Sequence, residues 1–334
     1  MSIRPVPQLK DLPPPPPDKT GWPWTEESDR LSEEMPDGSE WPRISIVTPN
    51  YNYAHFLEET IRSILLQGYP NLEYIIIDGG SSDNSLEIIE KYQQWLDYYV
   101  SEKDSGQANA INKGLAQCTG KIFNWINSDD ILTQGSLKLV AEGIKNFDAF
   151  AGAVLDLSET GIVVQQNQGL SAFNMVLPDQ NVVFHQPGFW LRTDLICQIG
   201  GLPENFDFCF DWELVIKYLY SFDRINYTSL ILAHFRIHPN SKTTVQAVQF
   251  EIEREKILSQ LMQDLQYAKL HKYISLRKRQ KYWNKFITNS LDFNSLNKPQ
   301  RINQSIKILI NSCFDPKIRW SRFTLGAIRK TLSA

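Results

Sequence analysis

The sequence predicts an α/β fold, a mainly parallel sheet flanked by helices with a helical, basic C-terminal region, and three features of the 334-residue chain carry that expectation. Between residues 43 and 150, short β-rich runs alternate with helical patterns, the order that builds βαβ units around a parallel sheet. The run "YIIID" is continuously apolar, as a central strand covered on both faces must be. Charge is divided unevenly: residues 251–334 hold 17 Lys and Arg against 6 Asp and Glu, a formal +11 within a chain of −4.

Taken in order, residues 1–42 contain an unbroken row from Pro13 to Pro17 and then "TEESDRLSEEMPDGSE", which predicts an extended or disordered arm with no core of its own. Folding is expected to begin at Arg43, with "RISIVTP" as the first strand and "AHFLEETIRSILLQ" as the first helix. Phe56, Thr60, Ile61, Ile64 and Leu65 recur on one face of that helix. Strand "LEYIIID", helix "SLEIIEKYQQWL", strand "YYVSE", helix "GQANAINKGLAQ", strand "KIFNWINSDD" and helix "GSLKLVAEGI" complete a half that ends near residue 150. Beyond it the pattern changes. "FAGAVLDL" and "GIVVQQ" suit a hairpin, "VVFHQPGFWLR" a strand interrupted by Pro-Gly, and "DWELVIKYLY" a helix opening on Asp211. "SLILAHFRIH" is a further strand before "PNSKTT", and residues 246–334 read as helical.

Composition excludes several classes. With 42% hydrophobic and 22% charged residues the body is globular. Cys118, Cys197, Cys209 and Cys313 are widely spaced, so neither a zinc site nor a disulfide framework is expected, and a reducing cytoplasm is the default compartment. The N-terminal stretch is Pro-rich and acidic where a secretory signal would be apolar. No apolar run approaches the roughly 20 residues that span a bilayer. Neither GxxxxGK[ST] nor a GxGxxG after the first strand occurs, which argues against a P-loop and a dinucleotide site.

In open parallel sheets ligands bind beyond the carboxyl ends of the strands. Here those ends read Thr48-Pro49-Asn50-Tyr51-Asn52, Asp78-Gly79-Gly80-Ser81-Ser82-Asp83, Ser101-Glu102-Lys103-Asp104-Ser105-Gly106 and Asn127-Ser128-Asp129-Asp130. Asn, Asp, Ser and Gly converging on one edge suit a ligand with a ring, sugar hydroxyls and phosphates. Each stretch also has a plain structural reading: "DGGSSDNS" as a turn with a helix cap at Asp83 or Asn84, "NSDD" as a capped loop. Asp129 and Asp130 are hard oxygen donors of the kind that hold Mg²⁺ or Mn²⁺ together with substrate phosphates.

The order "SIVTPNYN", "LEETIRSILLQGYPNLEYIIIDGGSSDNS", "SEKDSGQANAINKGL", "GKIFNWINSDDIL" resembles the nucleotide-sugar-binding half of a family 2 glycosyltransferase with the glycosyltransferase-A fold. "HQPGFWLRTDLICQIGGLPENFDFCFDWELVIKY" resembles that family's acceptor half, and "FRIHPNSKT" its Arg-x-His-x-x-Ser-Lys segment. The likeness covers residues 43–245, divided at about 150 into a donor half (43–150) and an acceptor half (151–245), between the arm and the basic region 246–334. It implies that Pro49, Tyr51 and Asn52 line the base and ribose pocket and that Asp78 accepts from the base edge. Asp104, Gly106 and Asn112 would belong to the loop over the nucleotide, with Lys113 near phosphate.

Asn127-Ser128-Asp129-Asp130 would be the D-x-D element, with Asn127 standing where many members carry an acid, and Asp129 and Asp130 both metal candidates. Asp211 would be the general base, Arg236 and His238 would meet the pyrophosphate, and His185 would lie near the acceptor cleft.

The expectation is an inverting, Mg²⁺- or Mn²⁺-dependent transfer of one sugar from a nucleotide-sugar, a UDP-sugar foremost, to a glycan or lipid-linked acceptor in surface polysaccharide synthesis. The basic region 250–334 suggests peripheral contact with the inner face of an anionic membrane, and no nucleic-acid signature accompanies it. Processive synthases of the family carry Gln-x-x-Arg-Trp, of which only Arg319-Trp320 remains, so a single transfer is expected. Two rivals stand beside this reading. A nucleotidyltransferase would need a basic, Gly-rich first loop that "TPNYNYAHF" is not, and a non-catalytic binding module would need the key carboxylates to point away from the cleft.

Overall fold

The computed structural model of the chain describes residues 5–158, 161–177, 182–239, 241 and 247–290, with scattered positions beyond 298. Strands β1 (Ile44–Asn50), β2 (Leu72–Asp78), β3 (Tyr98–Ser101) and β4 (Ile122–Trp125) run parallel in the order β3-β2-β1-β4. Helices α1 (Ala54–Leu65), α2 (Ser85–Tyr92) and α3 (Gln107–Leu115) make the crossovers. Side chains of a strand alternate between its two faces. Ile44, Ile46, Tyr74 and Ile76 accordingly share a core with Leu57, Ile61 and Ile64 of α1, while Val47 meets α3. Gly114 permits that second contact, since a Cβ there would stand 2.5 Å from Val47 Cγ1.

The sheet is parallel only in this half. β5 (Ile131–Leu132) is followed by α4 (Ser136–Ile144), the long strand β6 (Ala149–Ser158), β7 (Gly161–Gln166), α5 (Ala172–Val176), β8 (Phe189–Arg192), α6 (Thr193–Gln198), α7 (Phe210–Ser221) and β9 (Ile225–Arg236). β8 joins β4 and β6 antiparallel, β6 pairs β7 as the expected hairpin and β9 in parallel, and β5 closes antiparallel on β9. The Pro-Gly interruption is a 3₁₀ turn at Gln186–Gly188 just before β8.

Registry aligns the strand ends. Asn50 lies opposite Asp78, Asp78 opposite Ser101, and β4 stops at Trp125 opposite Val47, so the 127–130 turn occupies the same edge.

Residues 5–42 correct the expectation of a coreless arm. They form an irregular strap whose Leu12, Trp24, Met35 and Trp41 are buried. Its anchor is Arg62 of α1, fully buried, which donates to the carbonyls of Pro13 (2.8 Å), Pro23 (3.1 Å) and Trp24 (3.1 Å) and lies 5.3 Å from the Trp24 ring. Trp22 Nε1 also donates to the Leu132 carbonyl at 2.8 Å. The sequence disguises this because Pro-rich carbonyls, lacking a local partner, look unsatisfied until a distant guanidinium supplies donors.

The chain divides into two contact units, Met1–Met175 with Asn181–Ile257, and Val176–Gln180 with Leu258–Ala334. Helix α8 (Ala247–Gln263) therefore begins in the first unit, which runs to Ile257, beyond the boundary expected at residue 245. In the second unit α9 (Ala268–Ser290) carries "SLRKRQKYWNKF", and Leu270, Ile274 and Trp283 are buried. Arg319 and Trp320 lie outside the described residues. Among the described residues no helix is long and apolar enough to cross a membrane.

Candidate active site

A cavity of about 690 Å³ opens at the aligned strand ends. From residues 43–150 it is lined by Pro49, Tyr51, Tyr53, Gly79, Gly80, Lys103, Asp104, Gly106, Gln107, Asn127, Ser128 and Asp129, and from beyond residue 150 by His185, Gln186, Asp207, Phe208 and Asp211 among others. Pro49, Tyr51, Asp104, Gly106, Asn127, Ser128, Asp129 and Asp211 are thus brought together as expected.

Tyr51 is 61% exposed and presents its ring beside Gly79, where a Cβ would fall 2.7 Å from Asp104 Oδ2 and 3.3 Å from the Tyr51 ring. Only glycine leaves that slot open. Gly106, at φ +118°, receives a turn fixed by its own N–H donating to Asp104 Oδ1 at 2.9 Å.

Five expected binding residues stand elsewhere: Asp78, Asn52, Asn112, Arg236 and His238. Asp78 is fully buried behind the cavity, and its carboxylate accepts from Asn50 Nδ2 (2.7 Å), Ser81 Oγ (2.5 Å), Ser81 N–H (2.9 Å) and Ser101 Oγ (2.6 Å). With about four acceptor positions on a carboxylate, all are taken, so Asp78 ties three strand ends together and does not face a base. Burial pushes its carboxyl up, but the hydrogen bonds from Ser101, Ser81 and Asn50 outweigh that and hold it below the ordinary value.

Asn52, at φ +57°, accepts the Ser82 N–H at 2.8 Å and shapes the first loop without lining the cavity. Asn112 bridges α3 to the 202–204 loop through the Leu202 backbone and Glu204. Lys113 is paired with Glu102 at 2.7 Å, away from the cavity. Asn84 holds the N-cap position of α2 without a side-chain cap bond, and Asp83, just before it, accepts the Ala54 and Ser85 N–H groups at 2.9 and 3.0 Å, tying the starts of α1 and α2 together.

The structure separates the two adjacent carboxylates. A turn closed by Asp130 N–H donating to the Asn127 carbonyl at 3.0 Å leaves Asp129 on the cavity wall and Asp130 completely buried. Asp130 Oδ2 accepts Asn127 Nδ2 at 3.1 Å, while Oδ1 has no hydrogen-bond partner. Burial, and then the charge of Asp129, push the Asp130 carboxyl well above its ordinary value. Asp129 stands on the cavity wall and Asp130 is buried off it, and that placement corrects Asp130 as a metal candidate. Asn127 is held between Asp130 and Gln107, whose Nε2 donates to Asn127 Oδ1 at 2.8 Å.

Asp129 is met from β9 and the residues after it. His238 Nε2 lies 3.2 Å from Asp129 Oδ2, and Arg236 donates to the Asp129 carbonyl at 3.1 Å. Arg236 is further fastened to Glu59 at 2.8 Å and lies over the Phe56 ring, so neither residue lines the cavity and both act on Asp129. The Ser241 hydroxyl accepts the His238 N–H at 3.0 Å and shapes this end; residues 240 and 242–246 lie outside the described ones. Tyr53, 5.8 Å from the His238 ring, is pushed up by burial and by the Asp129 charge.

Among the described residues no cluster of three His, Cys, Asp or Glu side chains forms a closed metal cage. Asp129 with the His238 imidazole beside it suits the other arrangement, in which one carboxylate and the substrate's own phosphates share the cation.

Asp211 is the second residue of α7, not its cap. Cys209 holds the N-cap position, and Asp211 Oδ1 accepts the N–H of Trp212 at 2.7 Å. His185 does line the cavity, with Nδ1 at 3.6 Å from Asp156 Oδ1, and burial outweighs that neighbour to push the imidazole down.

A model of the family "Glycosyl transferase family 2" matches residues 45–195, which hold all four strand ends. The chain carries a family 2 glycosyltransferase domain. An uncharacterised glycosyltransferase of Nostoc is 32% identical over 109 residues, 32% of this chain and 34% of that one. A putative teichuronic acid biosynthesis glycosyltransferase of Bacillus subtilis is 35% identical over 92 residues, covering 27% and 36%. The match thus spans about a third of each of these relatives.

Among solved structures, Staphylococcus aureus TarS 1–349 in complex with UDP-GlcNAc aligns with TM-score 0.59 at 19% identity, covering 87% of this chain and 90% of that one. A Pyrobaculum calidifontis mannosyltransferase in complex with GDP-Man and Mn²⁺ aligns with TM-score 0.55 at 16% identity, covering 91% and 90%. Both share the fold. The chain thus has the expected glycosyltransferase-A architecture, with the parallel half of the sheet carrying the four polar strand-end loops.

Proposed function

We propose that the chain is an inverting, metal-dependent glycosyltransferase that moves one sugar from a UDP-sugar to a glycan or lipid-linked acceptor in surface polysaccharide synthesis. The observation that carries the reading is that Asp129 and Asp211, from opposite halves of the domain, line one cavity. The UDP-GlcNAc complex of the structural neighbour and the teichuronic acid assignment of the Bacillus relative support the donor and product classes.

Tyr51 and the Gly79–Gly80 backbone would receive the base, and Asp104 and Gly106 the ribose side. Asp129, beside His238, would hold Mg²⁺ or Mn²⁺, which when bound supplies charge to the diphosphate. Lys103 adds a cation on the same side. Asp211 takes the proton of the acceptor hydroxyl as its oxygen attacks the anomeric carbon. The bond to the phosphate oxygen breaks with its electron pair going to the nucleoside diphosphate, and single displacement inverts the centre. Transfer to a lipid-linked acceptor fits a basic region 250–334 at an anionic surface.

The test is a thermal-shift and hydrolysis screen of UDP-, GDP- and dTDP-sugars with and without Mn²⁺. A metal-dependent response to one nucleotide class is expected, and an equal response to all, or none with metal present, would count against the proposal.

A further inference from the structure

Helix α8 lies outside the matched segment 45–195, yet its first turns reach the active-site wall: Phe250 lines the cavity together with Asp207, Phe208 and Asp211. Three contacts fasten it there. The Glu253 carboxylate accepts three successive backbone N–H groups, those of Asp207 at 3.0 Å, Phe208 at 2.8 Å and Cys209 at 2.8 Å. Cys209 Sγ donates to the Phe250 carbonyl at 3.4 Å, and the Arg254 guanidinium lies 5.8 Å from the Trp212 ring. The stretch leading into Asp211 is thus held from both sides.

Successive N–H groups converging on one anion form a small concavity, and charge-assisted bonds of this kind are roughly twice as strong as neutral ones. Residues 207–209 precede α7 as bends with no strand or helix of their own, so their backbone donors depend on Glu253.

The surface so fixed has a definite chemistry. The Phe208 and Phe250 rings stand 5.4 Å apart at 58°, both half-buried, beside the carboxylates of Asp207 and Asp211. A pyranose offers the matching pair of features, an apolar C–H face for the rings and hydroxyls for the carboxylates. A prenyl chain brings no hydroxyls, and an anionic group would meet two like charges.

We infer that Phe208 and Phe250 form the acceptor subsite, that it takes a neutral pyranose ring, and that Glu253 is the positioning residue that holds it beside Asp211; this rests on the transferase reading. The full chain, saturated with UDP and Mn²⁺, is titrated with methyl β-D-glucopyranoside, methyl β-D-glucuronide and farnesyl phosphate by saturation-transfer NMR. The neutral pyranoside is expected to bind first, through its ring C–H protons. Phe208→Ala and Phe250→Ala should each weaken it about tenfold, a loss of about 1.4 kcal/mol, with UDP affinity unchanged.

Glu253→Ala should weaken the pyranoside more than Glu253→Gln, which keeps one acceptor oxygen, again without change in UDP affinity. Preference for farnesyl phosphate or the glucuronide, or full pyranoside binding by the Phe208/Phe250 double variant, overturns the inference. A UDP response without any pyranoside response overturns it alone. Absence of a UDP response in the parent chain sinks the transferase reading, and the inference with it.

Discussion

His238 Nε2 stands 3.2 Å from Asp129 Oδ2, although 109 residues separate the two in the chain. The contact holds one member of the Asp129–Asp130 pair at the cavity wall, beside His238 and Arg236, while its neighbour is buried.

Asp129→Asn should therefore abolish the Mn²⁺-dependent part of UDP binding. Asp130→Asn should leave most of it, because that side chain is buried off the cavity wall. Isothermal titration with UDP at fixed Mn²⁺ separates them, and equal losses for both variants would contradict the assignment.

Asp211→Asn keeps an oxygen for the Trp212 N–H but removes the base. Transfer should fall about 10²–10⁴-fold, the range for a general base, while nucleotide affinity holds. A parallel fall in UDP affinity would instead make Asp211 a structural residue.

Asp78→Asn replaces a carboxylate that serves four donors with a group that cannot accept on both sides, and should destabilise the domain by about 1–3 kcal/mol at neutral pH. The folded carboxyl lies below its unfolded value of about 4, so its contribution is present above that pH and is lost as pH falls through the folded value. The gap between parent and variant, read by urea unfolding, should thus narrow as pH falls below about 4. A gap that widens would refute the sign.

Trp24→Ala should lower stability by about 3–5 kcal/mol, the range for emptying a buried aromatic site, because Trp24 both fills core and covers Arg62. Deleting residues 1–42 should do no less. Unchanged denaturation midpoints for both would show the strap to be dispensable.

Much of the donor half was legible in the sequence because it is written locally. Strand and helix periods, the Gly79-Gly80 turn and the polar strand ends each occupy a few adjacent residues, and parallel registry then aligns them at one edge. Asp211 was legible too, as the acid opening a helix after the acceptor-half motif.

Direction was not legible. Asp78, Asn52 and Asn112 have the residue types of ligand contacts, but the donors that consume them come from loops on neighbouring elements. Glu253 has no motif at all, since its partners are backbone N–H groups more than 40 residues away.

By itself, then, the sequence determined the alternating α/β order, the donor-side loops and the chemical types at the site, since these follow from local spacing. Only the tertiary structure decided which of two adjacent aspartates meets the cavity and that Leu12, Trp24, Met35 and Trp41 of the N-terminal strap are buried. It also decided that the first turns of α8 reach the cavity wall. Each of those outcomes turns on which distant group satisfies a buried charge or a backbone donor, and no local pattern encodes that.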